Sequence, residues 1–251
     1  MVGSSAVRIR REAPRARDHL IVALDVADLD AARALVKQFG DEISFYKVGP
    51  HLFESGLINF IESLVEREKR VFLDFKSVDI GETMRTMIDR VARLGIEFVT
   101  VMGTTSTVAA AKAGRGSRHE PKILVVTLLT DHREEDMQRE YNTRQTVEQF
   151  VAERARIAAA AGADGVISSP REIAAIRRAV PRSGFLIVTP GIRPADSPAD
   201  DQARTATPAA AMAAGADYLV VGRPIVRARD KVAAARAILN EMQDALDARP
   251  A

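Results

Sequence analysis

Short runs of apolar, often β-branched residues alternate along the chain with longer segments rich in alanine and arginine. The longer segments, such as residues 31–39 and 151–162, repeat apolar residues about every 3.6 positions and stop at glycine, as amphipathic helices do. Unbroken apolar runs are typical of strands in a parallel sheet that helices cover. The predicted strands are residues 20–25, 44–49, 71–76, 98–103, 123–129, 165–169, 185–190 and 218–223.

Eight strand–helix units in 251 residues match the size of a single (β/α)8 barrel. With 47% hydrophobic residues the chain can bury one large core, although two smaller domains would also fit its length. A doubly wound open sheet usually has a glycine-rich turn after its first strand, and residues 24–30, LDVADLD, contain no glycine. We therefore predict an α/β fold, a single (β/α)8 TIM barrel with its active site at the C-terminal ends of the strands.

The composition excludes several classes of function. The chain has 36 basic and 34 acidic residues, so its mixed surface is not typical of a nucleic-acid-binding protein. It contains no cysteine, which excludes disulfides, thiolate metal sites and cysteine nucleophiles and is compatible with a reducing cytoplasm. No apolar run approaches the ~20 residues of a membrane span. We expect a cytoplasmic protein that binds neither nucleic acid nor membranes.

The first 19 residues are basic and lack the apolar core of a signal peptide. Their arginines and serines are weakly typical of an organellar transit peptide, but Glu12, Pro14 and Asp18 argue against one. We expect a flexible N-terminal arm over residues 1–19 and one barrel domain over residues 20–251.

Charged residues follow the third predicted strand in the segment VFLDFKSVDIG, residues 71–81. Side chains two apart on a strand share a face, so Asp74 and Lys76 point the same way, and near the C-terminal end of the strand that direction is the mouth of the barrel. Asp79 follows in the loop. A solvated salt bridge without function is the alternative interpretation of these three residues.

Other predicted strand ends carry residues of the same kinds. The first strand ends in Asp25 and the second carries Lys47 near its end. The eighth closes with Gly222 and Arg223, and a glycine amide beside an arginine is suited to binding a phosphate dianion. Phosphate sites after strands seven and eight recur in this fold. We therefore predict a charged site at the mouth with a phosphate-binding side.

The seventh strand leads into TPGIRP, residues 189–194, and then into a long polar connection, RPADSPADDQART, over residues 193–205. This connection has no apolar periodicity. A loop of this length in a compact barrel favours an active-site lid, and a disordered surface loop is the alternative.

Two motifs in these segments resemble the orotidine 5′-phosphate decarboxylase family, over residues 20–228. The first is D-x-K-x-x-D-I-x-x-T, whose fixed positions here are Asp74, Lys76, Asp79, Ile80 and Thr83. The second is TPGIRP followed by a DQ pair and then GRPI, which contains Arg193, Gln202, Gly222 and Arg223. The resemblance implies conversion of orotidine 5′-phosphate to uridine 5′-phosphate and CO2, in de novo pyrimidine synthesis and without a metal or organic cofactor.

The resemblance also implies roles for individual residues. Asp25 and Lys47 would hold the ribose hydroxyls and join the charged network, whose catalytic members would be Lys47, Asp74, Lys76 and Asp79. Thr130 would face the pyrimidine. Gln202, Gly222 and Arg223 would hold the phosphate, with Arg193 nearby. In the family the last Asp and Thr of the first motif enter the active site of the other subunit, so the resemblance implies a homodimer in which Asp79 and Thr83 reach the site of a second copy of the chain. Asp79, Ile80 and Thr83 are the substrate-binding residues that the first motif implies.

The implied reaction explains these residue types. Loss of CO2 from C6 leaves an electron pair in an sp2 orbital that is perpendicular to the π-system of the ring. Nearby carboxylates favour the charged form of a lysine, so Lys76 is expected to stabilise this carbanion and to protonate it. Asp74 would lie near the carboxylate of the substrate, and two like charges at 4 Å repel by about 4 kcal/mol at an effective dielectric constant of about 20. We nevertheless regard Asp74 mainly as the positioning partner of Lys76.

The chain departs from the common family pattern at Ser77, Val78, Gly81, Glu82 and Met102. Its motif also resembles that of related sugar-phosphate lyases, 3-keto-gulonate-6-phosphate decarboxylase and hexulose-phosphate synthase, which use Mg2+. Those relatives place a glutamate in the second strand where this chain has Lys47, and an ammonium group would repel the metal. We therefore keep the lyases as the alternative enzyme class and expect the decarboxylase. A non-catalytic nucleotide-binding protein is a further alternative, and it would tolerate loss of Lys76.

Overall fold

The computed structural model describes residues 15–103, 105–195 and 205–248. Its strands are all parallel and pair in chain order, and the first also pairs with the last, so that they close a barrel. This confirms the predicted TIM barrel. The strands are β1 Leu20–Ala23, β2 Phe45–Val48, β3 Arg70–Ser77, β4 Phe98–Val101, β5 Lys122–Val126, β6 Gly165–Ile167, β7 Leu186–Thr189 and β8 Tyr218–Val221.

Helices follow the strands and form the outer layer. Several of them begin at a side chain that accepts a hydrogen bond from the first turn, such as Asp28, which accepts from the Ala31 amide at 2.8 Å, and Thr146, which forms a capping box with Gln149. The helices are α1 Leu29–Phe39, α2 Leu57–Glu66, α3 Gly81–Arg93, α4 Thr105–Arg115, α5 Glu134–Glu140, α6 Val147–Ala160, α7 Ile173–Ala179, α8 Pro208–Ala213, α9 Arg223–Val226 and α10 Lys231–Asp247.

The hydrophobic core has two layers, because successive side chains of a strand point to opposite faces of the sheet. Residues such as Val71 and Val99 point outward and pack against the helices. Their neighbours Phe72 and Phe98 point inward and fill the barrel interior. The same alternation places Asp74 on the inward face, two residues beyond Phe72.

Arg70 closes the N-terminal end of the barrel. Its Nε donates to Glu97 Oε2 at 2.6 Å, and its Nη1 donates to the backbone carbonyl of Asp18 at 2.8 Å. The guanidinium also lies over the ring of Phe45, with its carbon 4.1 Å from the ring centroid. One side chain therefore joins β2, β3 and the segment before β1 at the end opposite the mouth.

The N-terminal segment was predicted to be a flexible arm over residues 1–19. Residues 1–14 lie outside the described residues. Ala16–Asp18 form a 3-10 helix, in which Ala16 is buried and its amide donates to Gln243 Oε1 of α10 at 2.9 Å. The packed domain therefore includes residues just before the predicted boundary.

In the described ranges no helix has the length and apolar character needed to cross a membrane.

Replacing Arg70 with methionine is expected to lower the free energy of unfolding by about 3 kcal/mol, because Glu97 would be left partly buried without its partner. Urea denaturation measures this change. Arg156→Met is the matched control, since Arg156 pairs with Glu153 on the exposed face of α6, where solvent screens the pair and its loss is expected to change stability much less. Equal effects of the two substitutions would contradict a stabilising role for Arg70.

Candidate active site

A cavity of about 200 Å³ opens at the C-terminal ends of the strands. Most strands contribute to its wall, together with the loops that follow β5, β7 and β8. Its lining residues are Ala23, Asp25, Lys47, Phe72, Asp74, Lys76, Val126, Leu128, Leu129, Thr130, Ile167, Pro190, Gly191, Arg193, Val220, Gly222 and Arg223. The cavity therefore contains most of the residues that the sequence predicted for the site.

Four charged side chains form a row of alternating sign along one wall of the cavity. Lys47 Nζ lies 3.0 Å from Asp25 Oδ1 and 3.5 Å from Asp74 Oδ2. Lys76 Nζ lies 3.1 Å from each carboxylate oxygen of Asp74. Each inner member of the row thus has an opposite charge on both sides, which offsets the cost of removing it from water.

Burial differs along this row. The side chains of Lys47 and Asp74 are 11% and 12% exposed, whereas the side chain of Lys76 is 36% exposed. The ammonium group of Lys76 is therefore held by Asp74 and still faces the open cavity. A bound molecule can receive a hydrogen bond or a proton from it.

An irregularity in β3 positions Lys76. Leu73 pairs with Val99 and Ser77 with Val101, so β3 has more residues than β4 across this interval. Lys76 has a φ of 49°, in the left-handed region that residues other than glycine rarely adopt. Such a conformation costs about 1–3 kcal/mol and persists only where its surroundings impose it, which often occurs at functional sites.

The opposite part of the cavity has a different character. Val126, Leu128, Leu129 and Ile167 form an apolar wall, and Thr130 lies beside it after β5. Such a wall is suited to an uncharged planar ring.

Arg193 and Arg223 supply positive charge where the loops after β7 and β8 reach the cavity. Gly222 lies between this region and Asp25. A Cβ atom at Gly222 would come within 3.3 Å of Asp25 Oδ2, so a glycine here leaves room for the carboxylate and exposes the backbone of the loop.

Several predicted site residues do not lie in this cavity. Asp79, Ile80 and Thr83 are exposed at and beyond the end of β3, and they do not line the cavity of their own chain. The Asp79 carboxylate instead accepts a hydrogen bond from the Ile80 amide at 2.7 Å. Gln202 and most of the predicted lid lie outside the described residues.

Sequence reasoning missed Thr100, which is fully buried on β4. Its hydroxyl donates to Asp74 Oδ1 at 2.9 Å and accepts from the Lys76 amide at 2.9 Å. A polar residue inside the apolar strand FVTV, two positions from the inward Phe98, is the signal that would have found it.

The loop that carries Thr130 is anchored by the next residues of the chain. The imidazole of His132 lies 3.1 Å from Asp131 Oδ1 through Nδ1 and 2.7 Å from Glu140 Oε2 through Nε2. Burial alone would lower the pKa of His132, but its bonds to Asp131 and Glu140 raise the pKa above its usual value. The ring therefore links this loop to α5, and it can donate to both carboxylates when it is protonated.

Comparison with known proteins places the chain in a family. The sequence model of the orotidine 5′-phosphate decarboxylase / HUMPS family matches residues 18–238. The chain belongs to this family. A relative from Nitrobacter winogradskyi named orotidine 5′-phosphate decarboxylase is 48% identical over 92% of this chain and 95% of its own length. A relative of the same name from Ruegeria pomeroyi is 46% identical over 90% of this chain and 95% of its own length.

Solved structures agree with this assignment. The orotidine 5′-phosphate decarboxylase of Lactobacillus acidophilus superposes with a TM-score of 0.77 at 36% identity, and the match covers 89% of this chain and 98% of that one. The corresponding enzyme of Pyrococcus horikoshii gives a TM-score of 0.69 at 26% identity, over 89% of this chain and 99% of that one. The resemblance inferred from the two motifs is confirmed.

His132→Gln is expected to lower stability at low pH but not at high pH. A histidine whose pKa is raised by folding contributes stability that is fully present below its unfolded pKa and is lost as the pH rises through the folded pKa. The substitution should therefore lower the free energy of unfolding at pH 6 by at most about 1 kcal/mol, because both carboxylates are largely exposed, and should change it little at pH 9. Urea denaturation at both pH values measures the difference, and an equal effect at the two would contradict this role.

Proposed function

We propose that this chain decarboxylates orotidine 5′-phosphate to uridine 5′-phosphate, with Lys76 as the proton donor. The observation that supports this most is the Lys76 ammonium, which Asp74 holds at 3.1 Å and which faces the cavity of a barrel from this family. Relatives of that name at 44–48% identity support the substrate. The product implies a role in pyrimidine biosynthesis.

The proposed reaction breaks the bond between C6 of the pyrimidine and its carboxylate. CO2 leaves, and the electron pair of the broken bond stays on C6. The positive charge of Lys76 stabilises this pair, since a fixed charge in a partly dehydrated site needs no reorganisation as the carbanion forms. Lys76 then gives its Nζ proton to C6, which completes the product. No step requires electrons from another molecule, so the proposal includes no organic cofactor.

The remaining charged groups of the row hold the ribose and the lysine in this proposal. Asp25 and Lys47 bind the ribose hydroxyls, because their polar atoms border the cavity next to Asp74. Asp74 orients Lys76. Its carboxylate lies between the ammonium groups of Lys47 and Lys76, and these positive charges offset its repulsion of an anionic substrate.

The cavity has a separate binding region for each end of the nucleotide. Thr130 and the apolar wall receive the pyrimidine, and the guanidinium groups of Arg193 and Arg223 with the Gly222 backbone receive the phosphate. Gln202 remains a predicted phosphate ligand. Binding energy from the phosphate, far from C6, can be used to orient the ring, so a substrate lacking phosphate is expected to lose kcat as well as affinity.

We also propose that two copies of the chain complete each site. Around Asp79 the surface is unusually apolar, with Phe53 78%, Val78 64% and Ile80 76% exposed. A groove between α2 and α3 adds apolar area and includes Thr83. Exposed apolar patches of this kind are typical of protein interfaces. A second copy docked here would bring its Asp79, Ile80 and Thr83 to the mouth of the first.

The magnesium-dependent lyases have less support. Lys47 lies between Asp25 and Asp74, and its ammonium group occupies the position between the carboxylates that a cation would need. Among the described residues no three carboxylate or imidazole groups converge as a metal site would require. The relatives reported above carry the decarboxylase name.

A cytoplasmic location stays a prediction from the sequence.

Purified protein is expected to consume orotidine 5′-phosphate in the presence of excess EDTA. The reaction is measured by the change in ultraviolet absorbance of the substrate. Lys76→Ala should lower kcat by at least about a thousandfold, because it removes both the charge and the proton donor. Lys37→Ala is the matched control, since Lys37 is an exposed lysine of α1. Turnover that requires Mg2+ would favour the lyases, and wild-type turnover by Lys76→Ala would refute the assigned donor.

Mixing two inactive variants tests the shared site. Lys76→Ala and Asp79→Ala chains should each have little activity, but a hybrid dimer has one site with both residues intact. With random exchange half of the dimers are hybrids, so an equal mixture should recover about a quarter of the wild-type activity. Subunit exchange is confirmed with differently tagged chains. No recovery despite exchange would contradict a site formed by two chains.

A further inference from the structure

Thr100 lies opposite the irregularity in β3. The pairs Leu73–Val99 and Ser77–Val101 leave Thr100 as the one β4 residue that faces residues 74–76. Regular pairing cannot satisfy the backbone of a strand where it bulges, so another group must accept its amide hydrogens. The Thr100 hydroxyl accepts the Lys76 amide at 2.9 Å.

The same hydroxyl also holds Asp74. Thr100 Oγ1 donates to Asp74 Oδ1 at 2.9 Å, and that oxygen lies 3.1 Å from Lys76 Nζ. A hydroxyl has one hydrogen to donate. The hydroxyl oxygen accepts a hydrogen bond from the Lys76 amide, and its one hydrogen points at the Asp74 carboxylate. The side chain is fully buried, so bulk solvent does not compete for these bonds.

We propose that Thr100 is a positioning residue for the decarboxylation, acting through Asp74 and Lys76 rather than on the substrate. Its hydroxyl holds the backbone of Lys76 in the left-handed conformation and the carboxylate of Asp74 in the orientation that receives the ammonium. This inference rests on the proposed function. Thr100 does not line the cavity, so it is expected to affect the chemical step and not the binding of the nucleotide.

Thr100→Val tests the hydroxyl, since valine has nearly the same shape. It leaves the Lys76 amide and one Asp74 oxygen without this partner, so kcat should fall between about tenfold and a hundredfold, with KM for orotidine 5′-phosphate within about twofold of wild type. Thr100→Ser, which keeps the hydroxyl, should restore most of kcat. The affinity for uridine 5′-phosphate, measured by calorimetry, should be the same in all three proteins.

Thr127→Val is the matched control. Thr127 is a buried barrel threonine whose hydroxyl donates to the Ile167 carbonyl at 2.9 Å and does not contact the charged row. Its loss is expected to lower stability with little change in kcat. A comparable fall in kcat in Thr127→Val would show that any lost barrel hydrogen bond has this effect, and would overturn the assignment.

Other outcomes also decide the proposal. If Thr100→Val does not fold, Thr100→Cys replaces it, since a thiol fits the site but is a weak donor and acceptor, and it should show the same fall relative to Thr100→Ser. Wild-type kcat in the Val or Cys variant, or a rise in KM alone, would overturn the role of Thr100 while leaving the proposed function intact. Absence of turnover by the wild-type protein would refute the proposed function, and this role with it.

Discussion

The site depends on a row of four charges that alternate in sign inside the mouth of the barrel. Lys47 and Asp74 are largely removed from water, and each would be costly to bury alone. The row makes their burial possible because every inner charge has opposite charges on both sides. Lys76, at its exposed end, can then present an ammonium group to the cavity from a fixed position.

Stability and chemistry are placed at opposite ends of the barrel. At the N-terminal end Arg70 and Glu97 join strands through bonds that lie outside the active-site cavity, and the interior between the two ends is filled by aromatic rings such as Phe72 and Phe98. At the C-terminal end the backbone of β3 leaves its regular pairing and Lys76 takes a strained conformation. A rigid interior is what allows this strain to persist, since the strands on both sides cannot relax around it.

One chain brings together only part of the predicted site. Lys76 has a carboxylate partner in Asp74, whereas Asp79 lies outside the cavity on a surface where large apolar side chains are exposed. Docking of a second copy on this apolar surface would explain both the exposed apolar side chains and the position of Asp79. The same burial that stabilises the dimer would then deliver the second acid to the lysine, so assembly and catalysis would be coupled.

The sequence by itself determined the fold and most of the site. Eight apolar runs predicted the barrel because strand and helix periodicities are local, and strand ends such as Asp25, Lys47 and Asp74 were predicted to meet because parallel strands share one mouth. Tertiary structure alone decided what depends on pairing between strands: the extra residues of β3, the left-handed backbone of Lys76 and the two bonds of Thr100. These features could not be predicted, since a bulge depends on the register of two strands, and register is set by packing across the whole sheet.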